Sequence, residues 1–202
     1  MQMLPIEQGS DEWMASRCGI VTMSNLQCLL ANGKDASGFG VQALGYMNEL
    51  IGERITGEPS AGWAGNSHTL RGHEMEPVAR DLYQEITGSA IEPVGIILNH
   101  GVGFSPDGLV DEDGVLEIKS KLAKLQVEVI LSGEIPKEHI AQVQGGLWVS
   151  EREWLDFVSY WPGMPLFVKR AYRDEAYIRD ISRRVEKFYD ELENRISRII
   201  AE

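Results

Sequence analysis

The chain has 202 residues, 43% hydrophobic and 25% charged, with a formal net charge of −12 and two cysteines. That length suffices for one sizeable core of ordinary globular composition, and no apolar run approaches the ~20 residues of a membrane-spanning helix. Two cysteines exclude a disulfide framework and fit a reduced, cytosolic setting. The acidity argues against a protein that coats nucleic acid, but not against an enzyme with a local basic track.

The start of the chain, MQMLPIEQGSDEW, lacks a basic region followed by an apolar segment, so no signal peptide is expected. Ser10 with Asp11 and Glu12 reads as an N-cap and acidic first turn of a helix over 11–17. A second helix is expected from Thr22 or Ser24. Cys18 and Cys28 are read as small apolar core groups. Residues 31–39 form a polar loop, and a helix follows over 40–56 with Leu44, Met47, Leu50, Ile51 and Ile55 at helical spacing. Residues 57–67 are a second loop, containing Trp63.

A long helix is expected over 68–87, with Met75, Val78, Ala79, Leu82, Tyr83 and Ile86 as its buried stripe. Pro77 predicts a kink or a fresh start near Glu76. Strands are expected at 93–98, 102–104, 107–111 and 115–119. Residues 120–135 leave a short helix open. Pro136 opens a helix to Val149, and 153–161 and 166–172 alternate as strands. Asp174 caps a final helix whose stripe runs Tyr177, Ile178, Ile181, Val185, Phe188, Leu192, Ile196 and Ile199. This order implies an α/β (α+β) fold, a central mixed sheet flanked by helices.

The chemistry concentrates in SPDGLVDEDGVLEIKSK, residues 105–121. Asp-Gly marks a hairpin turn. Glu117 and Lys119 share one strand face, while Leu116 and Ile118 face a core. Pairing of the strands would bring Asp107 beside Glu117. Two carboxylates that close repel, and a hard cation such as magnesium or manganese holds them together. A lysine beside them can orient or deprotonate a water, or stabilise developing charge. On spacing alone the same residues also fit a solvated turn and an edge strand.

Other segments bear on the choice. Glu76 fits either a third acidic ligand or a helix carboxylate paired with Arg80 at i+4. Gln142 and Gln144 fit a hydrolytic site or a polar helix surface. Gly145 and Gly146 each cost about 1 kcal/mol relative to Ala in a helix interior, which predicts tight packing there. Arg17 and Ser24 fit a phosphate pocket, or a surface cation and an N-cap. Lys34, Lys119, Lys121, Lys124 and Lys137 could supply a phosphate track. Phe39 and Trp63 could stack on bases or pack on the core.

Five segments taken in order, DEWMASRCGIVTMS (11–24), RGHEMEPVARDLY (71–83), GFSPDGLV (103–110), LEIKSK (116–121) and HIAQVQGGLWVS (139–150), resemble the phage lambda exonuclease or YqaJ-type viral recombinase family, within the PD-(D/E)XK nuclease superfamily. The resemblance implies a restriction-endonuclease-like core in a single exonuclease domain, 1–202. Its parts would be N-terminal helices at 1–90, a nuclease core at 70–173 and a C-terminal helix at 174–202. It implies that Asp107, Glu117, the Ile118 backbone carbonyl and Glu76 hold one or two Mg²⁺, with Mn²⁺ as the alternative. Lys119 would be the catalytic lysine, Gln142 the glutamine of the core motif, and Arg17 with Ser24 the grip on a 5′-phosphate. Met23, and Ser120-Lys121 in place of the usual Cys-Pro, depart from the family pattern.

The implied activity is 5′-to-3′ degradation of one strand of double-stranded DNA, leaving a 3′ overhang. The implied assembly is a homotrimeric ring, working with a phage single-strand annealing protein in the bacterial cytoplasm and with no membrane. The alternatives are an endonuclease or nickase on the same fold and a non-catalytic DNA-end-binding protein.

Overall fold

The structure is a computed structural model that describes residues 1–60 and 67–201, the side chains of 67–73 excepted; Trp63 lies outside the described residues. The chain opens with β1 (Gln2–Leu4) and α1 (Asp11–Arg17). Ser10 caps α1 by accepting the Trp13 N–H at 3.2 Å. β2 (Val21–Thr22), a 3-10 turn (Met23–Asn25) and α2 (Leu26–Leu30) follow. Then come α3 (Val41–Thr56) and α4 (Ser67–Thr87). Pro77 lies inside a continuous α4 rather than at a new start; the helix tolerates one missing donor.

The strands are β3 (Ile91–Glu92), β4 (Ile96–Asn99), β5 (Val102–Phe104), β6 (Gly108–Val110) and β7 (Gly114–Ser120). After α5 (Ala123–Ser132) and α6 (Lys137–Ser150) come β8 (Trp154–Tyr160), β9 (Phe167–Tyr172) and α7 (Glu175–Ile200). Asp174 caps α7 through the N–H groups of Ala176 and Tyr177.

The strands make two mixed sheets rather than one. Their orders are β1-β4-β5-β2 and β3-β6-β7-β8-β9. The break falls between β5 and β6, where Pro106 offers no N–H to a ladder. The expected hairpin forms, with Gly108 opposite Leu116 and Val110 opposite Gly114. β7 is the middle strand of its sheet, antiparallel to β6 and parallel to β8.

Both faces of β7 are covered, so its residues divide by parity. Leu116 and Ile118 pack with Ala79 and Tyr83 of α4 and with Val158 and Tyr160. Val115 joins Leu155, Phe157, Val143 and Leu147 in the larger core, shared with α6 and α7. Gly145 and Gly146 permit this contact: a Cβ there would lie 2.5 Å from the Met23 sulfur and 2.6 Å from the Phe104 ring, respectively.

Some expected core residues are outside it. Val78 and Ile86 of α4 and Ile199 of α7 are exposed. α4 meets β7 along a narrow line through Ala79 and Tyr83, and the last turn of α7 carries no buried residue. Cys28 only flanks the core, and Cys18 is half-buried. Phe39, in contrast, is fully buried edge-on to Phe188 and cannot stack on a base.

Candidate active site

The hairpin sets two carboxylates at the point where β6 stops pairing with β7. The Asp107 N–H donates to the Leu116 carbonyl at 3.0 Å. One carboxylate oxygen of Asp107 in turn accepts the Ile118 N–H. In this ladder the N–H and C=O of one residue point to the same edge. The Ile118 carbonyl therefore faces the Asp107 side, beyond the last β6–β7 pair.

Glu117 projects toward α6 and is almost fully buried, at 2% exposure. Its Oε1 lies 2.6 Å from the Lys119 ammonium and accepts the Gln142 side-chain amide at 2.6 Å. Its Oε2 is buried and has no hydrogen-bond partner among the described residues. A buried carboxylate oxygen left so is costly unless something else ligates it. Glu76, on α4, is half-buried and ion-paired with Arg80 one turn on. Glu76, Arg80 and Asp107 line one cleft of about 500 Å³ together with Glu7 and Gln8.

Burial pushes the Asp107 carboxyl up to about 7, the Glu76 charge adding to it and Lys119 opposing. Burial likewise pushes Glu117 up to about 7, against the pull of Lys119. Glu76 is raised as well, by burial first and then, against Arg80, by the charge of Glu117. Burial works to lower the Lys119 ammonium, but Glu117, Asp107 and Glu76 outweigh it and hold its pKa above the usual lysine range.

No three His, Cys, Asp or Glu side chains among the described residues already form a closed cation cage. The donor set nonetheless suits a hard cation. It has a Glu117 oxygen with no hydrogen-bond partner among the described residues, a half-buried Asp107, a third carboxylate nearby, and carboxyls raised chiefly by burial, which a bound cation would lower again.

Arg17 and Ser24 lie on a separate wall, formed by α1 and the 3-10 turn, outside the cleft lined by Glu76 and Asp107. The Arg17 guanidinium stacks 4.0 Å over the Trp13 ring, and burial lowers its pKa. It lines a small cavity of about 70 Å³ with Thr22, Asn25 and Tyr46. Ser24 is exposed, with its hydroxyl 3.3 Å from that of Thr22. The Trp13 indole N–H reaches Gly95 O at 3.2 Å and Ser105 Oγ at 2.9 Å, tying this wall to the segment that leads into Asp107.

Gln142 thus joins the hairpin, whereas Gln144 does not. Its amide bridges the Tyr172 carbonyl at 2.9 Å and the Asp174 N–H at 2.9 Å, joining β9 to α7. It points away from Gln142 because two helical positions differ by about 200°. Of the lysines, Lys34, Lys124 and Lys137 are exposed, and Lys121 is half-buried against α6. Sequence reasoning missed Gln8. Its amide donates to Pro106 O at 2.8 Å, bracing the residue before Asp107 across 98 positions of chain, and no local pattern marks it.

The fold is shared with known exonuclease structures. The alkaline exonuclease of Laribacter hongkongensis is 36% identical, with a TM-score of 0.84 over 95% of this chain and 97% of that one. Its complex with dAMP matches at the same identity and TM-score, over 94% and 96%. A phage-related exonuclease from Haemophilus somnus 129PT shares the fold at 18% identity, with a TM-score of 0.67 over 89% of this chain and 96% of that one. No curated protein matches. The model of the YqaJ-like viral recombinase domain matches residues 12–153, and the chain belongs to that family.

Proposed function

We propose that this protein is a metal-dependent 5′-to-3′ exonuclease that degrades one strand of linear double-stranded DNA from a 5′-phosphorylated end, leaving a 3′ overhang for recombination by strand annealing. The family and the 36%-identical alkaline exonuclease support a nuclease role. The observation that carries the metal-dependent chemistry is Glu117: a buried carboxylate held on one oxygen by Lys119 and Gln142, with no hydrogen-bond partner for its other oxygen among the described residues.

In this reading Asp107, Glu117 and the Ile118 carbonyl hold one or two Mg²⁺, with Glu76 nearby, and Mn²⁺ can substitute. When bound, such ions polarise the scissile phosphate, lower the pKa of water and neutralise charge on the leaving oxygen. Gln142 fixes the Glu117 carboxylate in one rotamer. Lys119, kept cationic by its carboxylate neighbours, places positive charge where the phosphate accumulates negative charge. Arg80 restrains Glu76, and Gln8 braces the Pro106 carbonyl. Arg17, with Ser24, binds the 5′-phosphate and gives the reaction its direction. The same reading includes a homotrimeric ring around the duplex, an annealing protein on the exposed 3′ strand, and a cytoplasmic setting in a bacterial host.

The test is digestion of end-labelled linear duplexes with Mg²⁺, comparing 5′-phosphate with 5′-hydroxyl ends and including a covalently closed circle. Release of 5′ nucleotides from the phosphorylated duplex, with the circle intact, is the expected result. Cutting of the circle would make the protein an endonuclease instead.

A further inference from the structure

Beyond the hairpin, β7 continues its ladder by one step: the Lys121 N–H donates to Tyr160 O at 3.2 Å. Lys121 therefore keeps the register that points Glu117 and Lys119 toward α6, two residues apart at each step. α6 runs beside this strand edge and meets it at two points. Gln142 meets Glu117, and His139, one turn earlier on the same helix face, meets Lys121, whose Nζ is 2.6 Å from the His139 Nε2.

This second rung is built rather than incidental. The Lys121 side chain is only 12% exposed and that of His139 16%. The imidazole packs at 5.3 Å from the Phe157 ring. Burial, then the charges of Lys121 and Lys119, push His139 down to about 4, so at neutral pH it is an acceptor for the ammonium and adds no charge. Among the described residues the nearest carboxylate to Lys121 is Glu138, 3.3 Å away on a side chain that is 62% exposed, while Glu128, Glu134 and Lys137 line the same open cavity. A contact so open to water is weak and easily exchanged. In a chain of net charge −12, a cation fixed about 7 Å along the strand from Lys119 is well spaced for the next phosphate of a DNA strand.

We infer that Lys121, oriented by His139, is a second phosphate-binding cation of this site, gripping the phosphodiester adjacent to the one Lys119 serves. The inference rests on the proposed nuclease function and deepens it. Lys121 contacts the substrate backbone; His139 is a positioning residue that acts through Lys121. Such a contact holds DNA equally in the ground and transition states, so its loss raises KM more than it lowers kcat.

The experiment measures steady-state digestion of a 5′-phosphorylated duplex, and the salt dependence of duplex-end binding with Ca²⁺ in place of Mg²⁺, for Lys121→Met, Lys121→Arg, His139→Leu and His139→Gln. Lys187→Gln on α7 serves as a control of equal charge change. Lys121→Met is expected to raise KM about tenfold with kcat within about twofold, and to flatten the log–log salt slope by about 0.9. Lys121→Arg should keep the slope, His139→Leu should reproduce part of the loss, and His139→Gln, which retains an acceptor, should not. Lys187→Gln should match wild type. Thermal melting separates misfolding from lost binding: a lower Tm with unchanged KM and slope assigns Lys121 to structure and overturns the inference. Wild-type protein that digests DNA while both Lys121→Met and His139→Leu equal it also overturns this inference alone. Wild-type protein that degrades no DNA overturns the proposed function, and this inference with it.

Discussion

Gln142 donates to the same Glu117 oxygen that the Lys119 ammonium approaches, each at 2.6 Å, and the opposite oxygen has no hydrogen-bond partner among the described residues. The carboxylate is thus held by one edge and presented by the other. Removing the amide would free the Glu117 side chain to rotate about its contact with Lys119. Gln142→Leu is therefore expected to reduce activity, or the affinity for activating metal, by about 10- to 100-fold with little loss of stability. Titrating Mg²⁺ against the rate of duplex digestion checks this. An unchanged midpoint and plateau would remove Gln142 from the site.

The buried carboxylates should make metal-free stability fall as pH rises. Asp107 and Glu117 are pushed to about 7 in the folded state, chiefly by burial, against about 4 in the unfolded chain. Between those values the folded state holds more protons than the unfolded one. Their stabilising contribution is full below about pH 4 and is lost as pH rises through about 7. A bound cation relieves the repulsion, so Mg²⁺ should raise Tm more at about pH 8 than at about pH 6. Asp107→Asn should raise the metal-free Tm at the higher pH and shrink the Mg²⁺ increment. Thermal melts with chelator and with Mg²⁺ at both pH values test it; an increment larger at the lower pH would contradict the linkage.

The alternation Leu116, Glu117, Ile118, Lys119 is readable from sequence because strand parity is local, and the structure divides those four residues between α4 and α6 as parity requires. The caps at Ser10 and Asp174 are equally local. What sequence cannot show is partnership across the chain. β1, β2 and β3 have only two or three residues each and exist because β4, β5 and β6 pair with them. One sheet is the natural expectation from the strand order, and the split into two depends on β5 pairing with β4 and β2 while β6 pairs with β3 and β7. Phe39 reads as a loop aromatic until Phe188, in the distant α7, covers it. Gln142 and Gln144 look alike in sequence, and only the placement of β7 and β9 against α6 separates them.

Lys119 lies among three carboxylates, and its charge serves both stability and rate. Lys119→Met is expected to lower the digestion rate by at least about 100-fold. It also removes the cation that opposes the upward shift of Glu117. The metal-free variant should then melt below wild type at about pH 8, and the gap should narrow toward about pH 5 as Glu117 takes up its proton. Adding Glu117→Gln to Lys119→Met should restore most of the lost Tm while leaving the enzyme inactive, a non-additivity expected of two residues in contact. Equal losses at both pH values, or additive losses in the double variant, would show that Lys119 does not stabilise through Glu117.

The glycine pair of α6 should respond asymmetrically to the smallest possible change. In a helix interior, Gly to Ala gains about 1 kcal/mol in propensity. At Gly145 the new methyl would meet the Met23 sulfur and a Leu26 methyl, at 2.5 and 2.7 Å. Those side chains are as buried as Phe104 but have flexible ends, so Gly145→Ala should cost less than Gly146→Ala. At Gly146 it would meet the Phe104 ring, with Cζ at 2.6 Å and two further ring carbons at 2.8 and 3.1 Å. That ring is rigid and 1% exposed, and overpacking against it costs about 1–3 kcal/mol, which exceeds the propensity gain. Gly146→Ala should therefore lower stability by up to about 2 kcal/mol net. Because Gly146 lies one turn from Gln142, a shift of α6 away from Phe104 should also raise the Mg²⁺ concentration needed for half-maximal digestion. Urea midpoints with metal titrations check both effects, and equal midpoints for the two variants would show that Phe104 yields as readily as Met23 does.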